Sequence, residues 1–135
     1  MTDPEKKLPR LLIVDDEERI IHSLQRLLRR EIEITGATTS GQAIELLSKE
    51  SFDAIMAEAS VPHDSMPGFV DWLAEARPDL LARLIVVSGG RRLNFANQFA
   101  WQRRCLFMIK PVSSEALTAA VSRIADRCHP NAAHP

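Results

Sequence analysis

Apolar residues gather in four short runs, within Arg10 to Val14 (R-L-L-I-V), Ala54 to Ala57, Leu84 to Val87 and Leu106 to Ile109, and Ile32 to Gly36 is a fifth, weakly marked strand segment. Unbroken runs of this length suit strands buried on both faces, as in a parallel sheet. Between them apolar residues return every three or four positions. The sets are Ile20, Leu24, Leu27 and Leu28; Ala43, Ile44 and Leu47; Phe69, Trp72, Leu73 and Ala76; Phe95, Ala96, Phe99 and Ala100; and Leu117, Ala120, Val121 and Ile124. Each predicts an amphipathic helix with one inward face. Strand and helix therefore alternate five times. This predicts an α/β fold with a doubly wound, five-stranded parallel sheet, most simply in order 2-1-3-4-5, the flavodoxin-like arrangement.

Local signals sharpen the boundaries. Glu17 and Glu18 fall in the first turn of the first helix and suit its dipole. Ser40 is a candidate N-cap for the second helix and Ser113 for the last. Pro78 closes the third. Residues 1–9 read as a flexible lead-in, 10–127 as one domain and 128–135 as a flexible tail.

A chain of 135 residues with 45% hydrophobic and 26% charged residues can bury a real core. A net charge of -1 gives no strong field toward nucleic acid or anionic membrane. Arg91-Arg92 and Arg103-Arg104 are pairs rather than a basic stripe, so neither nucleic acid nor membrane is an expected partner. There is no membrane-spanning run and no signal-peptide core in the first residues. Cys105 and Cys128 have no metal-ligand spacing, and two cysteines make no disulfide framework; a reduced, cytoplasmic setting is the expectation. His22, His63, His129 and His134 are scattered, which favours surface roles over a metal site.

The candidate chemistry lies where the runs end. The first stops at Asp15-Asp16, the third at Glu58, the fourth at Ser88-Gly89-Gly90 and the fifth at Lys110-Pro111. In the expected topology these ends share one rim, the edge at which open α/β sheets place ligands. Clustered carboxylates call for a cation, and an all-oxygen donor set suits Mg²⁺. A metal, an ammonium and a hydroxyl together would hold a phosphoryl group. Each piece also has a plainer reading. Asp15-Asp16 can cap a helix, Ser88 can serve a turn, Lys110 can be solvated and Glu58 can sit in a loop.

Taken together, I-V-D-D-E at Ile13 to Glu17, F-D-A-I-M-A-E-A-S-V-P at Phe52 to Pro62, V-S-G-G at Val87 to Gly90 and F-M-I-K-P at Phe107 to Pro111 resemble the receiver domains of bacterial two-component signalling. The resemblance runs from about Arg10 to Arg127. It implies that Asp15, Asp16, the acceptor side chain and the Ser60 carbonyl hold Mg²⁺, and that Ser88 and Lys110 sense the phosphoryl group. It makes Phe107 the aromatic switch of the output face; a strand residue half covered by the fourth helix is the plain alternative. It also implies a sensor histidine kinase or another signalling protein as partner, with self-association a further option, and a module that is not an enzyme.

The chain departs from the family pattern at its centre. The resemblance places the phosphoacceptor aspartate where this chain has Glu58. Asp53 lies at the wrong end of the strand, and Asp64 lies past Pro62. The family's P-x-x-x-G spacing is stretched here, since Gly68 follows Pro62 by six residues. The expectation is a degenerate or locked receiver acting through protein contacts, in which the longer glutamate can reach toward Lys110 or the metal. Its alternative is a receiver that still accepts a phosphoryl group with Mg²⁺. A flavin carrier is disfavoured by Asp-Asp-Glu in place of a phosphate loop. A dehalogenase-like phosphatase is disfavoured because its two acids should be separated by one residue. Trp101 and Phe107, with Arg103 and Arg104, are expected on a partner face formed by helix 4, strand 5 and helix 5, unless Trp101 packs inside.

Overall fold

The computed structural model describes residues 7–62, 68–90 and 92–128. Five strands, β1 (Arg10–Val14), β2 (Glu33–Ala37), β3 (Ala54–Glu58), β4 (Leu84–Ser88) and β5 (Leu106–Ile109), form one sheet of order β2-β1-β3-β4-β5. All four pairings are parallel. The helices are α1 (Glu18–Leu28), α2 (Ser40–Lys49), α3 (Phe69–Ala76), α4 (Leu93–Arg103) and α5 (Ser114–Cys128). A 3₁₀ turn over Pro78–Arg83 joins α3 to β4, so Pro78 opens a further turn as well as ending the helix.

The central strands β3 and β4 are buried at every position, which is why they read as unbroken apolar runs. Alternate residues serve the two faces. Leu12, Val14, Ile55, Ala57, Leu84 and Val86 pack under α2, α3 and α4 with Leu47, Phe69, Leu73 and Phe99. Leu11, Ile13, Ala54, Met56, Ile85 and Val87 pack under α1 and α5 with Leu24, Leu28, Leu117, Val121 and Ile124. Each large aliphatic side chain so buried contributes about 1.5–3 kcal/mol of transfer free energy.

Several expectations are corrected by local geometry. The inward face of α1 is Ile21, Leu24 and Leu28, and Leu27 is 66% exposed. The helix begins at Glu18, and its buried stripe runs through position 21, which leaves position 27 facing outward. The cap of α2 is Thr39 rather than Ser40: the Thr39 hydroxyl accepts the Gln42 N–H at 3.2 Å while Ser40 is already helical. Ala76 is exposed and Trp72 only partly covered, so α3 buries Phe69, Val70 and Leu73. Strand β2 begins and ends one residue later than expected. Ser113 does cap the last helix, accepting the Ala116 N–H at 3.2 Å.

Residues 1–6 of the expected lead-in and 129–135 of the expected tail lie outside the described residues. So do Arg91, His63, His129, His134, Asp64 and the lengthened loop segment 63–67.

Arg10 ties the opposite edge of the sheet together. Its N–H donates to Asp53 at 2.8 Å, and its guanidinium meets Glu33 at 3.3 Å, Glu50, and the Ser51 carbonyl at 2.8 Å. Asp53 thus serves the amino-terminal edge, far from the rim that carries Glu58.

Candidate functional site

Strand register brings the candidate groups to one rim. Val14 is opposite Ala57, so Asp15 and Glu58 are the next step on their strands. Glu58 is opposite Val87, and Ser88 opposite Ile109, which sets Lys110 one step further. The Lys110 N–H donates to the Ser88 carbonyl at 3.0 Å, and the Ala59 N–H to the Val87 carbonyl at 2.8 Å. The rim is mostly dry: Asp15 is 1% exposed, Ser88 1% and Glu58 6%. Asp16 points outward and is exposed.

The charges pair in a way that the residue types alone did not show. Lys110 Nζ lies 3.0 Å from Asp15 Oδ2 and 3.7 Å from Glu17 Oε1. The Asp15 contact is a close ion pair rather than a well-directed hydrogen bond. The other oxygen, Oδ1, accepts the Glu17 N–H at 2.9 Å. Burial pushes the Lys110 ammonium toward deprotonation, but its contact with Asp15 and the charges of Asp15, Glu58 and Glu17 outweigh that. Its pKa ends above the ordinary lysine value.

Glu58 does not reach Lys110 as a paired ion. Its Oε2 is held by its own loop, accepting both the N–H and the hydroxyl of Ser60. The expectation that the longer side chain would extend to Lys110 is therefore corrected. Two donors two residues away hold the carboxylate more cheaply than a cation already shared by two other acids. The turn is closed by the Val61 N–H on the Glu58 carbonyl at 3.2 Å.

Gly89 is needed beside Lys110. A Cβ at that position would lie 2.7 Å from Lys110 Cβ, so any larger residue would displace the lysine stem. The Lys110–Pro111 bond is cis.

The oxygen donors are of the kind Mg²⁺ takes. Their present placement is not a cage. Among the described residues no three acidic, histidine or cysteine side chains are gathered closely enough to hold a metal. Asp15 and Glu58 are turned to other partners.

Of the two expected interface aromatics, Trp101 is 82% exposed on α4, so it does not pack inside. Phe107 is half-buried and packs against the α2–α3–α4 side of the core. Ile109, on the same face of β5, is also exposed. Arg103 and Arg104 are exposed, and Arg103 lies over the Phe99 ring at 4.1 Å.

Sequence reasoning missed Glu17 as a partner of Lys110, and read Arg92 only as one of a surface basic pair. The first could have been found from its place beside Asp15-Asp16. No pattern marks the second.

Comparison with known proteins agrees with this fold. The profile of the response regulator receiver domain matches residues 11–122. The hydrogenase transcriptional regulatory protein HoxA of Bradyrhizobium diazoefficiens is 33% identical over 75 residues, 56% of this chain and 16% of that protein. The chain thus spans about one sixth of that relative's length. A receiver domain protein from Clostridium thermocellum superposes with a TM-score of 0.76 at 21% identity, over 90% of this chain and 98% of that one. A CheY-like receiver from Methanospirillum hungatei JF-1 gives 0.74 at 24% identity, over 93% and 99%.

Proposed function

Because the chain belongs to the response regulator receiver domain family, we propose that it is a receiver module of two-component signalling whose acceptor position is filled by Glu58 and does not take a phosphoryl group. It works by binding a histidine kinase or another signalling protein and is not itself an enzyme. The observation that carries this reading is the fate of the Glu58 carboxylate, held by Ser60 while Lys110 is committed to Asp15 and Glu17.

Phosphoryl transfer depends on positioning and on charge stabilisation. The charge-stabilising groups are at the rim, so the defect is one of position. Glutamate carries its carboxylate roughly 1 Å beyond an aspartate's place, and a misplacement of that size costs on the order of a hundredfold. The Glu58 Oε2 is also engaged by the Ser60 N–H and hydroxyl rather than free for the site that Lys110 and Ser88 would serve.

A Mg²⁺ ion at this rim would be held by Asp15 and Asp16 once Asp15 had given up its contact with Lys110. Glu58 and the Ser60 carbonyl could join only once the glutamate had left its Ser60 donors. When bound, the ion would offset the carboxylate charge; affinity is expected to be weak. The free thiols of Cys105 and Cys128 agree with a cytoplasmic setting, and among the described residues no helix is long and apolar enough to cross a membrane.

The partner face in this proposal is formed by α4, β5 and α5. Trp101 and Ile109 are exposed there beside Arg103 and Arg104, and aromatics with arginine are favoured interface anchors.

The test is incubation of the protein with acetyl phosphate and Mg²⁺ followed by intact mass. The proposal expects little or no gain of one phosphoryl group. Ready labelling at Glu58 would replace it with the alternative, a receiver that uses the glutamate as acceptor.

A further inference from the structure

Arg92 stands just before α4 and reaches back across the molecule. Its Nη1 donates to the Ala59 carbonyl at 3.2 Å, the residue directly after Glu58. Its Nη2 lies 4.0 Å from Asp71 Oδ2 on α3. Its guanidinium carbon sits 3.7 Å from the centre of the Phe95 ring, in the first turn of α4. One planar group thus touches the β3–α3 loop, α3 and α4. Arginine suits this because its fork bonds in the plane while its face stacks on a ring.

The surroundings are built to this contact. Gly68 precedes α3 where a Cβ would come within 3.0 Å of the Ala59 carbonyl, 3.1 Å of the Val61 carbonyl and 3.2 Å of Arg92 Nη1. A side chain there would push the guanidinium off the loop. Asp71 Oδ2 is buried and makes no directed hydrogen bond, so the arginine charge is what supports it. Burial raises the Asp71 carboxyl above the ordinary aspartate value, with Arg92 and Arg103 pulling the other way. The ring contact continues along α4: Phe95 meets Phe99 at 5.9 Å, and Arg103 covers Phe99. That line ends in the turn that carries Trp101.

We propose that Arg92 is a positioning residue that ties the loop following Glu58 to the start of α4, so that a change in that loop is passed to the helix presenting Trp101. The tie is separate from the rim cluster: it uses the Ala59 carbonyl and Asp71, not Ser88 or Lys110. It does not depend on whether Glu58 is phosphorylated.

The test perturbs the loop and reads the helix, with and without the arginine. Ser60→Ala removes the hydroxyl that holds Glu58. Backbone amide and Trp101 indole shifts are measured by NMR for Ser60→Ala, Arg92→Lys and the double variant. Arg92→Lys keeps the charge and most of the stem but cannot bond and stack at once, so it preserves the fold more safely than Arg92→Ala. With Arg92 present, Ser60→Ala is expected to shift the amides of Ala96 and Phe99 and the Trp101 indole. With lysine there, those shifts should largely vanish, while the shift at Val61 persists. Exchange protection at Phe69 and Ala96 should fall together by about tenfold in Arg92→Lys, as for the loss of one charge-assisted bond. The Leu117 amide on α5 should keep its protection, which separates a tie from general loosening. Shifts at α4 that survive the loss of Arg92, or an α4 that never responds to Ser60→Ala, would each overturn the proposal.

Discussion

Lys110→Met keeps the stem and removes the charge. Asp15 is then left 1% exposed with one directed donor, the Glu17 N–H at 2.9 Å. Removing one partner of a buried pair costs about 3–5 kcal/mol. Lys110 keeps 19% of its side-chain surface in water, so solvent can reach part of the space the ammonium leaves. Discounting for that, the expected loss is about 2 kcal/mol, or a fall in Tm of roughly 8 °C for a domain of this size. Asp15→Asn retains an acceptor for the Glu17 N–H and needs no cation, so it should cost within about 1 kcal/mol. The double variant should then resemble Asp15→Asn alone, giving a coupling energy of about 2 kcal/mol in a double-mutant cycle. Urea unfolding followed by far-UV circular dichroism measures all four proteins. The pH dependence has a definite sign. Lys110 is held above the ordinary value of 10.5 in the folded state. The pair's contribution is therefore complete below that value and is lost as pH rises through the elevated one. Lys110→Met as stable as the parent within about 0.5 kcal/mol, or costs that simply add, would refute the argument.

Three further outcomes follow from the fold. Thr39→Ala should destabilise by about 1 kcal/mol through loss of the α2 cap, measured by thermal unfolding. Burial pushes the Cys105 thiol up to about 11, with Arg103 opposing; at pH 8 iodoacetamide should modify native Cys105 on the order of a hundredfold more slowly than the unfolded chain, read by peptide mass mapping. Trp101→Ala should leave stability within about 0.5 kcal/mol, whereas Phe107→Ala, packed against the core, should cost about 2 kcal/mol in urea unfolding.

The sheet was legible because β1, β3 and β4 are buried strands, and burial on two faces leaves an unbroken apolar run; the edge strand β5 is only partly buried but keeps the same run, L-F-M-I. Which side chains stand at the strand ends was legible, because strand ends are where such runs stop. Their pairing was not. That Glu58 turns to Ser60 and Lys110 to Asp15 and Glu17 depends on distances of a few ångströms among like groups, which spacing does not encode. The face of α1 was misread because Ile20 and Ile21 are adjacent, and either gives an apolar repeat with Leu24 and Leu28. Thr39 and Ser40 are likewise two adjacent cap formers; only the backbone decides that Ser40 is already in the helix. The reach of Arg92 was not legible: Phe95 stands three residues on, but the Ala59 carbonyl and Asp71 are distant in sequence and no pattern links them to it.

In the proposed function, Glu58 is misplaced as an acceptor while Lys110 and Ser88 stand at the same rim. Intact mass after incubation of the parent and Glu58→Asp with acetyl phosphate and Mg²⁺ tests this most directly. The proposal expects the shorter side chain to leave Ser60 and to present its carboxylate where Lys110 and Ser88 can serve it. The Glu58→Asp variant should gain one phosphoryl group, located by peptide mapping at the substituted side chain, while the parent gains little or none. An aspartate variant that stays unmodified under conditions that label an ordinary receiver would contradict the claim that position alone is missing, and a parent that labels readily at Glu58 would contradict it from the other side.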